Sequence, residues 1–343
     1  MTSREAELTT PGVLRLLGAG ASGAIVMALK DGPLRTKELT ERVRGYTPRT
    51  VYRYANRLTE LGVIAREEEP GVPSKVVHSL TEPCGRELFE LIDAYADASL
   101  TRLPNGEIDA HAWGSLGLLA DLWESGMIEA LNYGPRSPTE LARGGHDLSY
   151  HQVNRRAGLF AIGGFLRETS ATGRRRRYEL TQKARRTMAL VAGIGRWRRR
   201  YVVPEGTPGL EPREAGSVLR TALPLVSLPE HGGKGIGIEI AAEGMNGGGT
   251  DAVWASVEAD GAILTHEERP PALDAHARSR VPHLIDALLD GSHKSIQVNG
   301  DCHLLETCLS RLNAVLWEKA LDLSATPAEA VAGGSDGTEL GDR

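Results

Sequence analysis

The chain has 343 residues, 41% of them hydrophobic and 25% charged, with a formal net charge of −5 at pH 7. This length accommodates two or three domains, and the hydrophobic content supports globular cores. No run of 18 apolar residues occurs, and the N-terminus MTSREAELTT lacks the apolar region of a secretion signal. We therefore expect a soluble, cytoplasmic protein with no membrane contact. The spacing of the three cysteines, Cys84, Cys302 and Cys308, fits neither a disulfide framework nor a zinc site.

The charge is distributed unevenly along the chain. Residues 1–100 carry a net charge of −1, residues 101–205 carry +7 and residues 206–343 carry −11. A basic middle beside an acidic end indicates that different segments contact different partners.

An internal repeat organises the first 200 residues. ALKDGPLRTKEL (28–39) aligns with ALNYGPRSPTEL (130–141) when the chain is shifted by 102 positions, and ten identities fall within 28–66. After a two-residue deletion, HSLT (78–81) aligns with YELT (178–181). Matching turn residues and a matching apolar period indicate a duplication.

Each copy predicts the same series of elements. A long helix, about 12–30 or 113–132, ends at Gly32-Pro33 or Gly134-Pro135. A short helix, a turn and a second helix follow, the last opened by Thr47-Pro48 or by Ser149. A β-hairpin and a final helix, 81–98 or 181–201, complete each copy. This order is typical of a winged helix-turn-helix.

The stretch DGPLRTKELTERVRGYTPRTVYRYANRLTELGVIARE, followed by HSLTEPCGREL, resembles the HxlR-type winged-helix transcription regulators of bacteria. The resemblance extends over about 20–98 and, more loosely, over 120–200. Members of that family normally carry one such unit and dimerise, whereas this chain carries two. The resemblance therefore implies double-stranded DNA as partner, bound by a monomeric pseudo-dimer or by a homodimer.

The helix after each turn is expected to enter the major groove of DNA. Arginine pairs with guanine, and asparagine or glutamine with adenine, so the polar faces of both helices suit base readout. The inward positions are Val51, Ala55 and Leu58 in copy one, and Val153, Ala157 and Phe160 in copy two. The predicted readers are Arg49, Thr50, Tyr52, Arg53 and Asn56 in copy one, and His151, Gln152, Asn154, Arg155 and Arg156 in copy two.

The two hairpins, or wings, differ in charge. The second wing carries four consecutive arginines, Arg174, Arg175, Arg176 and Arg177, where winged-helix proteins contact the phosphate backbone. A solvated hairpin is the alternative interpretation. The first wing is acidic at its base and offers only Lys75 near its tip. Beyond the second wing, GRWRRRYVV (195–203) predicts that Trp197 and Tyr201 pack against another helix while the arginines lie outside. The alternative is that these arginines, Arg196, Arg198, Arg199 and Arg200, extend the basic surface.

The C-terminal segment predicts a third domain. VVPEGTPGLEPRE (202–214) is a linker by composition, and strands are predicted within 233–243, 250–268 and 273–280. A helix over 283–291, a strand over 294–301 and a helix over 302–321 follow. This order, with LIDALLDG and IQVNGDCHLLETCLSRL, resembles the sterol-carrier-protein fold, in which a sheet and helices enclose an apolar tunnel. Val253, Ile263, Leu288, Leu305, Leu309 and Leu312 line such a tunnel or fill a core.

The predicted fold is α+β. It comprises winged helix-turn-helix domains at 11–100 and 111–202, a sterol-carrier-like domain at 214–322 and a disordered tail at 323–343. We expect a nucleoid-associated transcription regulator, with an apolar small-molecule effector implied by the second resemblance. A rigid packing role for the third domain is the alternative. No catalytic constellation, cofactor or metal site is predicted, so we expect no enzyme. A protein-binding adaptor and an enzyme built on winged helices are the rival functions.

Overall fold

A computed structural model describes residues 9–70, 75–99, 108, 110–144, 148–170, 176–204, 207–242 and 249–317. The disordered tail predicted for 323–343 lies outside these residues. The protein is a mixed α/β structure. We divide it into unit 1 (residues 10–99), unit 2 (residues 110–201) and the C-terminal unit (residues 212–317).

Unit 1 combines five helices with a small antiparallel sheet in the described part of the chain. The sheet has the order β1-β3-β2, and β2 and β3 form the hairpin. In chain order the elements are α1 (Thr10–Gly18), α2 (Ala21–Ala28), β1 (Leu34–Arg35), α3 (Thr36–Arg42), α4 (Pro48–Glu60), β2 (Ile64–Glu69), β3 (Lys75–Leu80) and α5 (Cys84–Ser99).

Unit 2 has nearly the same element order, with a two-stranded hairpin formed by β4 and β5. An isolated bridge between Arg136 and Tyr178 stands where unit 1 has β1. The elements are α6 (Ala110–Glu124), α7 (Met127–Leu131), α8 (Pro138–Arg143), α9 (Tyr150–Ile162), β4 (Leu166–Ser170), β5 (Arg176–Leu180), α10 (Gln182–Arg186) and α11 (Met188–Tyr201).

Three helices predicted to be continuous are broken, so those predictions were wrong. The helix predicted over 12–30 is α1 and α2, which meet at 81° around Gly20, whose φ is +78°. The helix predicted over 113–132 breaks at Gly126, whose φ is +66°. Both glycines adopt a backbone conformation that a regular right-handed helix does not contain, and glycine reaches it without steric cost. The helix predicted over 181–201 divides at Thr187 into α10 and α11.

The same hydrogen bonds recur in the two units. Thr81 Oγ1 donates to the carbonyl oxygen of Gly62 (2.5 Å), and Thr181 Oγ1 donates to that of Gly164 (2.6 Å). Leu34 pairs with His78 in unit 1, and Arg136 forms its bridge with Tyr178 in unit 2. These pairs fall at positions that the alignment of the two sequence copies makes equivalent.

In its described residues, the C-terminal unit has a five-stranded sheet and three α-helices. The sheet has the order β10-β9-β6-β7-β8, in which β6 and β9 are parallel and the other pairs antiparallel. The helix α12 begins at Pro212, two residues before the predicted start of this domain at 214, so the linker predicted over 202–214 is partly helical. The elements are α12 (Pro212–Ala222), β6 (Gly235–Ala241), β7 (Thr250–Val257), β8 (Ile263–His266), β9 (Ala275–Arg280), α13 (Val281–Asp290), β10 (Gln297–Gly300) and α14 (Cys302–Trp317).

Units 1 and 2 pack mainly through two helix pairs. In the first pair α1 crosses α6 so closely that a Cβ added to Gly18 would lie 2.4 Å from the backbone nitrogen of Gly117. Arg15 pairs with Asp121 further along the same crossing (2.9 Å). In the second pair the start of α5 meets the end of α11, where Trp197 Nε1 donates to the carbonyl oxygen of Cys84 (2.8 Å). In each pair, helices from equivalent ends of the two units contact each other.

The first two helices of unit 1 are apolar, but neither alone is a candidate membrane span. In the part of the chain that the structure describes, no single helix is long and apolar enough to cross a bilayer. The bent pair α1 and α2 satisfies those criteria only when both helices are counted together.

A buried histidine should make unit 1 sensitive to acid. His78 is 1% exposed, and its Nε2 lies 3.1 Å from Thr36 Oγ1. Burial, and secondarily the charge of Arg66, lowers the pKa of His78. The unfolded chain therefore binds the proton more tightly than the folded chain, and stability falls as pH drops below about 6.5, the ordinary histidine pKa.

We expect His78→Gln to remove part of this acid sensitivity. The measurement is the Tm of wild type and variant across a pH series from neutral to acidic. His303→Gln is the control, because His303 is exposed. Equal pH dependence of the wild type and the His78 variant would contradict the assignment.

Candidate nucleic-acid interface

The helix α4 separates apolar from polar positions as its sequence period predicts. Thr47 caps its start, with Oγ1 accepting from the backbone nitrogen of Thr50 (3.3 Å). Val51, Ala55 and Leu58 are at most 1% exposed and anchor the helix in the core. Among the predicted readers, Arg49, Tyr52 and Arg53 are exposed, whereas Thr50 and Asn56 are partly buried.

The helix α9 has the same division. Its predicted core residues Val153, Ala157 and Phe160 are also at most 1% exposed. On the opposite face, the predicted readers His151, Gln152, Asn154 and Arg155 are exposed and Arg156 is partly buried. The two helices thus present polar surfaces at equivalent positions of the repeat, and Arg53 and Arg155 are the exposed arginines that both share.

Two of the predicted readers bond to the residue that caps their helix. Gln152 Oε1 accepts from the backbone nitrogen of Ser149 (2.8 Å), and Ser149 Oγ accepts from that of Gln152 (3.3 Å). Thr50 Oγ1 lies 2.9 Å from Thr47 Oγ1. These side chains are held at the start of their helices, so a base contact by Gln152 or Thr50 would exchange a capping bond for it.

The arginines of the second wing are only partly described. Arg174 and Arg175 lie outside the described residues. Arg176 pairs with Glu168 across the hairpin (3.4 Å), and Arg177 pairs with Glu140 of α8 (2.8 Å). Glu140 also closes the capping box of α8 with Ser137, and these backbone and side-chain hydrogen bonds lower its pKa. Arg177 therefore fixes the wing to α8 as well as adding positive charge.

The described strands of the first wing carry both basic and acidic side chains. Lys75 is exposed at the start of β3 and stands opposite Glu69 in the strand register. Arg66 pairs with Glu68 two residues along the same strand, β2 (3.5 Å).

The arginines of α11 form the outer surface that the sequence predicted only in part, because Arg199 and Arg200 are exposed whereas Arg198 is buried. Arg198 is 9% exposed and donates to the carbonyl oxygen of Gly209 (2.6 Å) and to Thr10 Oγ1 (2.8 Å). Arg196 pairs with Asp290 of α13 (2.6 Å), and Arg200 pairs with Glu87 of α5 (3.1 Å). These arginines join the units because α11 packs against both unit 1 and the C-terminal unit.

The contacts between unit 2 and the C-terminal unit were not predicted from the sequence. Arg136 donates to Glu267 Oε1 (3.1 Å), and Arg213 donates to Glu129 Oε2 (2.7 Å). Arg220 donates to Tyr133 Oη (3.2 Å). The sequence held one sign of these contacts, because the two copies differ at the positions concerned. Glu129, Tyr133 and Arg136 of unit 2 align with Met27, Asp31 and Leu34 of unit 1.

Within the described residues, no group of three or more histidine, cysteine, aspartate or glutamate side chains is arranged to hold a metal ion.

Residues 16–104 match the HxlR-like helix-turn-helix family. The HTH-type transcriptional regulator YodB of Bacillus subtilis is 32% identical over 84 residues, which cover 24% of this chain and 75% of that protein. The chain belongs to the HxlR-like family. An HTH-type transcriptional regulator of Methanothermobacter thermautotrophicus is 33% identical over 81 residues, covering 24% of this chain and 61% of the relative. The HxlR-like chain thus spans less than two thirds of that relative.

Two solved structures also match the HxlR-like chain. Diamide-treated YodB from B. subtilis has 32% sequence identity and a TM-score of 0.22, covering 25% of this chain and 86% of that one. The reduced form of YodB has 31% identity and a TM-score of 0.23, with coverage of 25% and 85%. The relatives are transcriptional regulators and not enzymes. Family membership therefore supports the prediction that this chain is not an enzyme.

Proposed function

We propose that the chain is a sequence-specific DNA-binding transcription regulator of the bacterial cytoplasm, associated with the nucleoid. In this proposal units 1 and 2 are tandem winged helices, and α4 and α9 read two unlike half-sites. The observation that carries the proposal is the shared design of these helices, each with three buried apolar residues and an exposed polar face containing Arg53 or Arg155.

The repeated hydrogen bonds of Thr81 and Thr181 support unit 2 as a second winged helix, since they fix each hairpin to the end of its recognition helix. The α1–α6 and α5–α11 pairs support a pseudo-dimer within one chain, because they join equivalent helices of the two units. A pseudo-dimer of unlike halves implies an asymmetric operator. A palindromic site of double length would instead indicate two chains.

The proposal assigns the phosphate contacts mainly to the second wing. Arg176 is the more exposed of its two described arginines, at 71%, and its partner Glu168 is 44% exposed. An exposed pair of this kind contributes about 0–1 kcal/mol, so a phosphate can replace the carboxylate at little cost. Lys75 is the corresponding contact of the first wing.

The C-terminal unit enters the proposal as a sterol-carrier-like effector domain. The six residues expected to line a tunnel or fill a core are all buried, at 2% exposure or less. They pack with both helices and sheet in one hydrophobic core. An apolar effector would have to displace some of these side chains, and a rigid packing domain is the alternative role.

A protein-binding role for unit 2 is the second candidate function. Leu159 and Ile162 on α9 are 41% and 86% exposed. The equivalent residues of α4 are Arg57 and Glu60, which are charged. Exposed apolar side chains are more typical of a protein contact than of a phosphate contact.

Single alanine substitutions in the two helices test the proposal. Arg53→Ala and Arg155→Ala should each weaken binding to the cognate operator by about 1–3 kcal/mol, and weaken binding to random DNA much less. The operator is first obtained by in vitro selection, and affinities are measured by fluorescence anisotropy over a salt series.

Arg311→Ala is the control, because Arg311 pairs with Glu230 in the C-terminal unit (2.6 Å). A loss with Arg53→Ala alone would support the protein-binding candidate for unit 2. Salt-insensitive affinity, or no selected operator, would contradict DNA binding altogether.

A further inference from the structure

A polar cleft of about 660 Å³ lies between unit 2 and the C-terminal unit. Clefts between domains are common positions for small-molecule sites. The side chains that matter in this cleft come from both units, and they are Glu129, Tyr133, Arg136, Arg213, Arg220 and Glu267.

Both signs of charge line the cleft in nearly equal number. Three guanidinium groups line the cleft together with four carboxylates. Besides Glu129 and Glu267, the carboxylates are those of Glu140 and Asp251. Each of those two carboxylates is already held by bonds outside a ligand's reach. Glu140 accepts from the backbone nitrogen of Ser137 (2.7 Å), and Asp251 from that of Ala252 (2.8 Å). A ligand with a single strong charge would therefore meet repulsion as well as attraction.

One ion pair forms the fixed floor of the cleft. Arg220 and Asp251 have side chains that are 10% and 19% exposed. Arg220 also donates to Tyr133 Oη. A pair shielded from water and bonded on several sides is costly to separate.

The other two pairs are more exposed to water, although Arg213 donates to both carboxylate oxygens of Glu129 (2.9 and 2.7 Å). In the Arg213–Glu129 pair the arginine is 71% exposed and the glutamate 31%. In the Arg136–Glu267 pair the glutamate is 62% exposed and the arginine 35%. The more exposed member is thus a cation in one pair and an anion in the other. If both swing outward, they leave Glu129 and Arg136 as one negative and one positive group in the same cleft.

We propose that this cleft binds a small zwitterion of the amino-acid or short-peptide class. Its carboxylate replaces Glu267 on Arg136, whose planar guanidinium can take a carboxylate with two parallel hydrogen bonds. Its ammonium group replaces Arg213 on Glu129. Each displaced side chain is solvated once it leaves, so the exchange costs little.

The repeat implies one site per chain. The positions in unit 1 equivalent to Glu129, Tyr133 and Arg136 are Met27, Asp31 and Leu34, which offer neither the same charges nor the aromatic hydroxyl. The proposal concerns ligand binding alone and does not depend on DNA binding by units 1 and 2.

Thermal shift of the full chain tests the site. The probes are the standard amino acids, diglycine and triglycine at millimolar concentration, each compared with sodium chloride at equal ionic strength. At least one probe should raise the Tm by about 2 °C or more, because a ligand that binds only the folded state stabilises it. Its N-acetylated and C-amidated analogues carry a single charge each and should give no shift.

Calorimetric titration of variants with the best probe locates the site. Arg136→Gln and Glu129→Gln should each weaken binding at least tenfold. Arg196→Gln should bind as wild type does, because Arg196 joins α11 to α13 outside the cleft. The proposal is overturned if no probe shifts the Tm, if a blocked analogue binds equally well, or if both cleft variants bind normally. If an operator is selected but no zwitterion binds, only the cleft proposal is wrong. If a zwitterion binds but no operator is selected, only the proposed function is wrong.

Discussion

Arg220→Met should lower the free energy of unfolding by about 3 kcal/mol, because it leaves the carboxylate of Asp251 without its main partner in a site shielded from water. Arg220 Nη1 donates to Asp251 Oδ2 at 2.8 Å, and the two side chains are only 10% and 19% exposed. The substitution also removes the bond to Tyr133 and so loosens the C-terminal unit from unit 2. Chemical denaturation followed by circular dichroism measures the change.

The double variant Arg220→Met/Asp251→Leu separates charge from packing. Replacing both members of a buried pair by apolar groups is far less costly than removing one, so much of the lost stability should return. Arg213→Met is the exposed control and should change stability by less than about 1 kcal/mol. A double variant as unstable as Arg220→Met would show that shape, and not an unpaired charge, is responsible.

Gly18→Val should destabilise the contact between units 1 and 2 by about 1–3 kcal/mol, since overpacking a close helix crossing forces the backbones apart. A Cβ at residue 18 would lie 2.4 Å from the backbone nitrogen of Gly117, which cannot move away as a flexible side chain could. Thermal unfolding by calorimetry should show a lower Tm or a separate early transition.

Gly158→Ala is the matched control, because nothing lies within 4 Å of an added Cβ there. Residue 158 is inside α9, so alanine should raise stability by up to about 1 kcal/mol through helix propensity alone. Equal and small effects at both glycines would show that the crossing tolerates a wider separation than the structure has.

Local patterns predicted the local parts of this fold. The apolar spacing of PRTVYRYANRL placed Val51, Ala55 and Leu58 inward, and the structure buries all three. The hairpins were predicted at their observed places because alternating strands flank short turns. The start of α12 was missed although its signal was present. Pro212 and Glu214 are favourable first-turn residues, but the surrounding proline and glycine residues favoured a linker.

Contacts that depend on the approach of distant segments could not be predicted in the same way. Arg177 and Glu140 are separated by 37 residues, and no periodicity relates them. The breaks at Gly20 and Gly126 depend on which backbone conformation the packing selects, and a glycine within an apolar run permits either a continuous or a bent helix. The burial of Arg198 likewise follows from the three-unit packing around α11.

The joining of equivalent helices within one polypeptide has a consequence for dosage. When a regulator is a dimer of separate chains and is mostly dissociated, the concentration of the dimer falls with the square of the chain concentration. Here the α1–α6 and α5–α11 contacts form between segments whose mutual concentration is set by the connecting chain, not by the number of molecules in the cell. For the proposed single-chain regulator, operator occupancy at low copy number should then rise in proportion to the number of molecules, without the threshold that dimerisation of separate chains imposes.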